Sequence, residues 1–413
     1  MDDLTTNFCG LERKSPRKVT RLRSISQASN IIGTCRAAKE SVNLRGAGHG
    51  SGDRNIGSGH LMLNSLPSRM TRLDDSCYCV SSSMRWIELE RALNNDGRAA
   101  PVLTNWPDVT IGGTLAAGGF GSASLNFGSQ VDWVERIHVV LPNGSAVWIG
   151  KDDARFPLML SAQGIHGFVA EAEIATRACP TSWHWSRYGF DSLECWCDAI
   201  TEVISQKPSD TTHLVAQGRW EGFEITMATG EGHDLALQGI PPCQWELDHE
   251  SWREGLLQRQ FEQEVVNPWA DYVLPASYLG HFLSRLFSDL AEEKMQQGAF
   301  PRFRILFVDP CRAPPATASF APHKGAYSLL AGVGVYFVLP RTGVEEIAAA
   351  RRVLARSLAL CGDLNGRPYL PGWHEMEEAE MQRFYPNAIS KSRELKRRND
   401  PDDLFNPGMR PAF

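Results

Sequence analysis

Short apolar runs, each closed by turn residues, dominate the first 180 positions. Val42-Asn43-Leu44 reads as a strand running into the loop Arg45-Gly46-Ala47-Gly48-His49-Gly50-Ser51-Gly52-Asp53. Ile137-His138-Val139-Val140-Leu141 and Ala146-Val147-Trp148-Ile149 flank Pro142-Asn143-Gly144-Ser145, and Asn-Gly between apolar runs is a strong hairpin signal. The polar, basic first 30 residues read as a first strand and a first helix. Farther along, Arg304-Ile305-Leu306-Phe307-Val308 and Val333-Gly334-Val335-Tyr336-Phe337-Val338 read as strands. Between about 344 and 361, Ile347, Leu354 and Leu358 recur at i, i+7 and i+11, one face of a helix. Lys391 to Arg398 is a short basic run on a helix face, and Asp400 to Gly408 is rich in turn residues. The character of the chain changes near Cys179-Pro180, and tryptophan is frequent from there to about 380. Strands mixed with segregated helices predict an α+β fold.

Composition excludes several classes. At about 150 residues per domain, 413 residues predict two or three domains. A net charge of −6 argues against a nucleic-acid binder, whose phosphate contacts need a basic surface. No apolar run approaches the roughly 18 residues of a spanning helix, so no membrane partner is expected. Acidic Met1-Asp2-Asp3 is followed by no apolar stretch, so a cytoplasmic location is expected. The ten cysteines are dispersed without C-x-x-C, and the spacing within Cys77/Cys79 and within Cys195/Cys197 is unfavourable for a bridge. They are expected to be reduced thiols, with no metal site.

Three glycine-rich turns carry the candidate chemistry: the loop at 45–53, Gly112-Gly113-Thr114-Leu115-Ala116-Ala117-Gly118-Gly119-Phe120-Gly121, and Gln163-Gly164-Ile165-His166-Gly167-Phe168-Val169. The first is not a dinucleotide fingerprint, because Ser51 stands where the third glycine belongs. It is not a phosphate-binding loop with Gly-Lys-Ser/Thr. It is not a nucleophile elbow either, because His49 occupies the glycine position before Ser51. Two readings remain: a long groove of backbone N–H donors for a pyrophosphate, or tight turns in a β-rich fold.

At this point the residues resemble a family. Arg45 to Gly50 is similar to the R-G-x-G-H-S segment of the FAD-linked oxidases of the vanillyl-alcohol-oxidase (PCMH-type) superfamily, and Thr110 to Gly119 resembles its T-V-G-G-T-L-x-x-x-G segment. Asn267-Pro268-Trp269, Tyr369-Leu370-Pro371-Gly372-Trp373 and Asp400-Pro401 through Asn406-Pro407-Gly408 resemble, in order, motifs of the cytokinin dehydrogenase branch. The resemblance implies an FAD domain at 1–180, a substrate domain on an antiparallel sheet at 181–384, and a return to the FAD domain at 385–413. It implies that His49 bonds covalently to the flavin. Leu44, Gly46, Ala47, Gly48, Gly50, Arg54, Thr110, Gly112, Gly113, Ala116, Phe120, Gly167, Val169, Tyr369 and Asn406 fall on cofactor positions. Gly50 replaces the usual Ser.

The catalytic positions implied are Asn105, Asp108, Tyr369 and Trp373. Cytokinin dehydrogenases carry an Asp seven residues before the first glycine of G-G-T, where this chain has Asn105. An amide orients a substrate but is no general base near neutral pH. Asp108 is either a base presented by a shifted loop or a surface turn residue. Trp269, Tyr369 and Trp373 suit a planar, hydrophobic small-molecule substrate, and equally suit a core. The implied activity is oxidation of a C–N or C–O bond by hydride transfer to flavin N5, with oxygen or another acceptor taking the electrons. The alternative is a flavin-bound scaffold of the non-redox cyclase type, which Asn105 favours.

Overall fold

The computed structural model describes residues 3–52, 55–206, 211–219, 222–229, 243–248, 265–295, 302–308, 319–323 and 329–407. Arg54 of the expected cofactor set and Gly408 of the tail motif lie outside these residues. No helix among the described residues is long and apolar enough to cross a membrane.

The described N-terminal half holds two small sheets and a two-stranded pairing of Arg98–Ala99 with Arg177–Ala178. In the first, β1 (Lys18–Arg21), β2 (Val42–Arg45) and β3 (His60–Leu63) run parallel in the order β1-β3-β2. Parallel strands of one sheet need a crossover, and helix α1 (Ile25–Ala37) supplies one from β1 to β2, which lie on either side of β3. Ser24 caps α1, its hydroxyl accepting the Gln27 N–H at 3.1 Å. The second sheet is antiparallel: β4 (Met70–Arg72), β5 (Cys77–Ser81), β6 (Val134–Val140), β7 (Ala146–Gly150) and β8 (Phe168–Ala175), in the order β4-β5-β8-β6-β7. β6 and β7 are the hairpin that Asn143-Gly144 predicts. Gly144 sits at φ +84°, and the Leu141 N–H closes the turn on Ser145 O at 2.8 Å. Between β5 and β6 lie α2 (Trp86–Asn95) and the short α3 (Ile111–Ala117).

The larger sheet is antiparallel throughout. Its strands β9 (Ser182–Phe190), β10 (Thr211–Arg219), β11 (Gly222–Thr229), β12 (Cys243–Asp248), β13 (Trp269–Pro275), β14 (Arg302–Val308), β15 (Leu330–Tyr336) and β16 (Arg367–Tyr369) lie in the order β12-β9-β11-β10-β14-β15-β13-β16. One face is covered by α4 (Leu193–Gln206), α5 (Leu279–Glu292) and α6 (Val344–Asp363). The period of two along each strand sorts the residues. Ala270, Tyr272, Leu274, Ala331, Val333 and Val335 enter the helix-covered core with Phe282, Leu354 and Leu358. Tyr272 fixes α6 by donating its hydroxyl hydrogen to Leu354 O at 2.7 Å. The alternate residues Trp269, Asp271, Val273, Gly332, Gly334 and Tyr336 line a cavity on the other face. The helix expected over 344–361 is α6, and the architecture is α+β.

The tail returns to the first sheet. Val42 N–H donates to Leu404 O at 2.8 Å, and Asn406 N–H donates to Val42 O at 2.6 Å. Phe405 is buried with Val42, Met62 and Phe168. This return depends on a residue inside the basic run. Lys396 of α7 (Pro386–Asn399) is buried, whereas Arg397 and Arg398 are exposed. Its ammonium donates to Phe405 O at 2.6 Å, Asp400 Oδ2 at 2.8 Å and Ile165 O at 3.1 Å, and lies 3.0 Å from Asp403. Asp400 in turn accepts the Leu404 and Phe405 N–H groups at 3.1 and 2.9 Å. The run is therefore not simply a helix face, because one of its cations is the hub of the tail.

Lys396→Met should destabilise the protein by about 3–5 kcal/mol, the scale for stripping one partner from a buried ion pair. Denaturant unfolding tests this, and a loss under 1 kcal/mol would mean the tail holds without its hub.

Candidate active site

A cavity of about 350 Å³ lies among the three glycine-rich turns, the tail and the open face of the large sheet. Its first wall is backbone. Gly48 sits at φ +81°, and a Cβ there would come 2.6 Å from an Arg45 guanidinium nitrogen. Arg45 holds the loop by donating to Thr6 O at 2.9 Å. A Cβ on Gly46 would come 2.2 Å from Thr110 Oγ1, and one on Gly113 2.9 Å from the same atom. A Cβ on Gly112 would meet Ser82 Cβ at 2.8 Å. A side chain at any of these positions would have to displace Arg45, Thr110 or Ser82, so the wall there is bare backbone.

The third turn is strapped to the others. Gln163, at φ +58°, donates its N–H to Ala116 O at 2.7 Å, and the Asn406 amide donates to Gln163 O at 2.8 Å. Behind it, burial and the Lys396 charge push the His166 imidazole down to about 3, so it is neutral while its Nε2 contacts Ser392 Oγ at 2.5 Å. His49 lies on the cavity wall between two aromatic rings, stacked on Phe8 at 5.0 Å and tilted against Trp106 at 5.4 Å.

The second wall carries side chains. Strand pairing sets Asp271 opposite Gly334 on one side and Tyr369 on the other, and sets Trp269 opposite Tyr336. Tyr336 donates its hydroxyl hydrogen to Asp271 Oδ1 at 3.1 Å, and its ring stacks on Trp269 at 5.9 Å. Gly334 makes room for this pair: a Cβ there would come 2.4 Å from Asp271 Oδ1 and 2.6 Å from the Tyr336 oxygen. Burial, and then the Asp271 charge, push the Tyr369 hydroxyl far above the ordinary phenol range. Phe120 meets Tyr369 edge-on at 5.7 Å and His323 at 5.1 Å. His323 is held by Asp132 at 3.3 Å. Burial opposes ionisation of Asp132, but His323 and the Ser129 N–H and hydroxyl hold its carboxyl below the usual range.

The cavity is lined by Leu44, Gly46, Ala47, Gly48, His49, Gly50, Asn105, Thr110, Gly112, Gly113, Ala116, Phe120, Gly167, Val169, Tyr369 and Asn406, all expected from the sequence. Two expected catalytic residues lie elsewhere. Asp108 does not line the cavity. It pairs with Arg85 at 3.4 Å and is about two-fifths exposed, which makes it the surface alternative. Trp373 is also outside. The chain turns after β16 with Gly372 N–H on Tyr369 O at 3.1 Å and Trp373 N–H on Trp269 O at 2.6 Å, and the indole faces a small hollow beside Leu354 and Leu358 of α6. The residues missed are Asp271, Tyr336, Asn267 and Trp106. The one available signal was the alternation Trp269-x-Asp271-x-Val273 and Gly332-x-Gly334-x-Tyr336, which places polar and bare positions on a single strand face.

The glycine wall fits a flavin dinucleotide. It presents bare backbone together with Thr110 Oγ1 and Trp106 Nε1, buried polar atoms that have no hydrogen-bond partner among the described residues. Residues 16–150 match a family described as an FAD binding domain. The chain carries an FAD-binding domain and is an FAD-dependent oxidoreductase. This flavoprotein is 24% identical to an uncharacterized oxidoreductase from the fasciation locus of Rhodococcoides fascians, over 96% of this chain and 94% of the other. It is 30% identical to cytokinin dehydrogenase 3 of Oryza sativa subsp. japonica, over 44% of this chain and only 35% of the relative. Among solved structures, xylooligosaccharide oxidase from Myceliophthora thermophila C1 in complex with xylobiose superposes at a TM-score of 0.80, with 18% identity over 98% of this chain and 93% of that one. Glucooligosaccharide oxidase from Acremonium strictum, studied for its 6-S-cysteinyl, 8α-N1-histidyl FAD, superposes at 0.77, with 15% identity over 97% and 92%. These structures share the fold of the flavoprotein.

Gly46→Ala should lower the flavin-to-protein ratio. The added methyl must displace Thr110, an overpacking that costs about 1–3 kcal/mol. Gly50→Ala is the control, since among the described residues a Cβ there meets the Asn55 side chain at 3.5 Å, an ordinary contact. Equal flavin content in both variants would show that the loop does not cradle the cofactor.

Proposed function

We propose that this flavoprotein oxidises a carbon bearing a hydroxyl or amino group on a small substrate, with oxygen or another acceptor taking the electrons. The observation that carries this reading is the Asp271–Tyr336 pair on the sheet wall, across the cavity from the glycine turns. FAD, when bound, supplies the hydride acceptor. The chain supplies the rest. Residues 1–180 and 385–413 hold the cofactor in this reading, and residues 181–384 hold the substrate.

Loss of hydride from a carbinol or amine carbon leaves a proton on oxygen or nitrogen that an acceptor must take. Asn105 cannot take it. Asp271 can, and the Tyr336 hydroxyl that donates to Oδ1 fixes its carboxylate. Tyr369, whose hydroxyl stays protonated, is a donor toward the substrate heteroatom. Trp269 Nε1 and Asn267 Oδ1 are buried without a hydrogen-bond partner among the described residues, and suit a substrate polar group. His49 is the attachment point for the flavin. No cysteine is among the described residues that line the cavity, and a second, cysteinyl link is not part of this proposal.

Asp271→Asn should slow anaerobic flavin reduction by roughly 10²–10⁴, the usual worth of general-base assistance, while leaving flavin content unchanged. An adenine-type cytokinin, xylobiose and simple aryl alcohols form the substrate panel. A variant as fast as wild type on every member that reduces the flavin removes Asp271 from the chemistry.

Acid denaturation tests the linkage separately. Flavin should remain in the wild-type pellet and be released from His49→Ala. Release from both would leave FAD binding intact and refute the bond.

A further inference from the structure

Two glycines on β15, Gly332 and Gly334, face the cavity from alternate positions. Only one of them is required by the protein itself. Gly334 is bare because a Cβ there would strike Asp271 and Tyr336. Gly332 has no such neighbour: a Cβ would come no closer than 3.7 Å to Leu306 O and 3.9 Å to Val273 Cγ2, both ordinary contacts. Its backbone is not in the left-handed region. Glycine inside a strand gives up packing and backbone order, and it is kept where a ligand or another backbone approaches closely. No described backbone crowds the Gly332 position on the cavity side.

We infer that Gly332 is a specificity-determining position, whose missing side chain forms a slot for a flat apolar group of the substrate. The inference rests on the proposed oxidation, because it takes Asp271 as the reacting end. Val273, against which Phe120 packs together with Leu330, gives the slot an apolar wall, and the Leu306 carbonyl oxygen borders it on another side. Gly334, opposite Asp271, is two residues along β15, and two strand residues span about 7 Å. The substrate class is therefore a molecule whose flat apolar ring lies about 7 Å from the hydroxyl or amine it loses hydride beside. An aryl or bicyclic carbinol meets this description, whereas a molecule hydroxylated all round does not.

The probe is 2-naphthalenemethanol, titrated into oxidised holoenzyme while the flavin absorbance is followed. Wild type should bind it. Gly332→Ala should weaken binding about tenfold and Gly332→Val further, the scale on which a methyl group counts in an apolar pocket. Flavin content and melting temperature should stay at wild-type values, and Gly332→Ala, which fits in ordinary contact, covers the case that the valine variant fails to fold. Unchanged affinity in both variants overturns the inference, as does absence of binding to wild type. Loss of flavin from Gly332→Ala also overturns it, since the slot would then belong to the cofactor. Binding that Gly332→Val abolishes, in a wild type that no carbinol or amine reduces, keeps the slot and counts against the oxidation reading instead.

Discussion

A buried ammonium joins segments that the sequence keeps far apart. Lys396 hydrogen-bonds the carbonyl of Ile165 in the third glycine turn and that of Phe405 in the tail. The tail then clamps β2 through Val42 and the Gln163 carbonyl through Asn406. Burying a cation is tolerable only when its hydrogen bonds are filled and a counter-charge is close, and Asp400 and Asp403 meet both conditions. The backbone wall of the cavity consists of loops with few side chains of their own. Its shape is therefore set by straps such as this one more than by local packing.

The opposite wall is stiff for a different reason. It is a sheet covered by helices on its far side, so residues at positions of one parity are locked in a core while those of the other parity face the cavity. A hydrogen-bonded pair built on such a surface keeps its geometry because its strands cannot slip without turning Tyr272 and Val333 out of the core. Asp271 and Tyr336 gain their orientation from register, and Gly334 gives them room. A wall of bare backbone suits a large cofactor, and a sheet fixed by its core suits groups that must be placed to within a fraction of an ångström.

What could be read in the sequence follows from the range of the interactions involved. The hairpin at Asn143-Gly144, helix α6 and the glycine turns are encoded within a few residues, by backbone freedom and periodicity. The fate of Asp108 was not, because the Arg85 that captures it stands 23 positions earlier. Asp271 and Tyr336 are 65 positions apart, and only the strand pairing brings them together. Trp373 follows Tyr369 by four residues, but the turn through Gly372 sends it to the opposite side of the chain. Lys396 was hidden by its company, since nothing in a basic run marks which cation will be buried.

The position of the carboxylate ties these observations together. With an amide at position 105, the acid nearest in sequence is Asp108, and it lies outside the cavity against a guanidinium. Among the described residues, the carboxylate that lines the cavity comes from the sheet, next to a tyrosine that donates to it and another whose hydroxyl it helps to keep protonated. Moving a charged group from a loop to a strand changes which side of a bound substrate meets it. It also frees the loop position for a neutral residue that only orients. A loop base can shift with its loop, whereas a strand base must receive substrates that lie along the strand. If Asp271 is the base proposed above, the bare stretch at Gly332, two residues from the position facing it, gives such a substrate room.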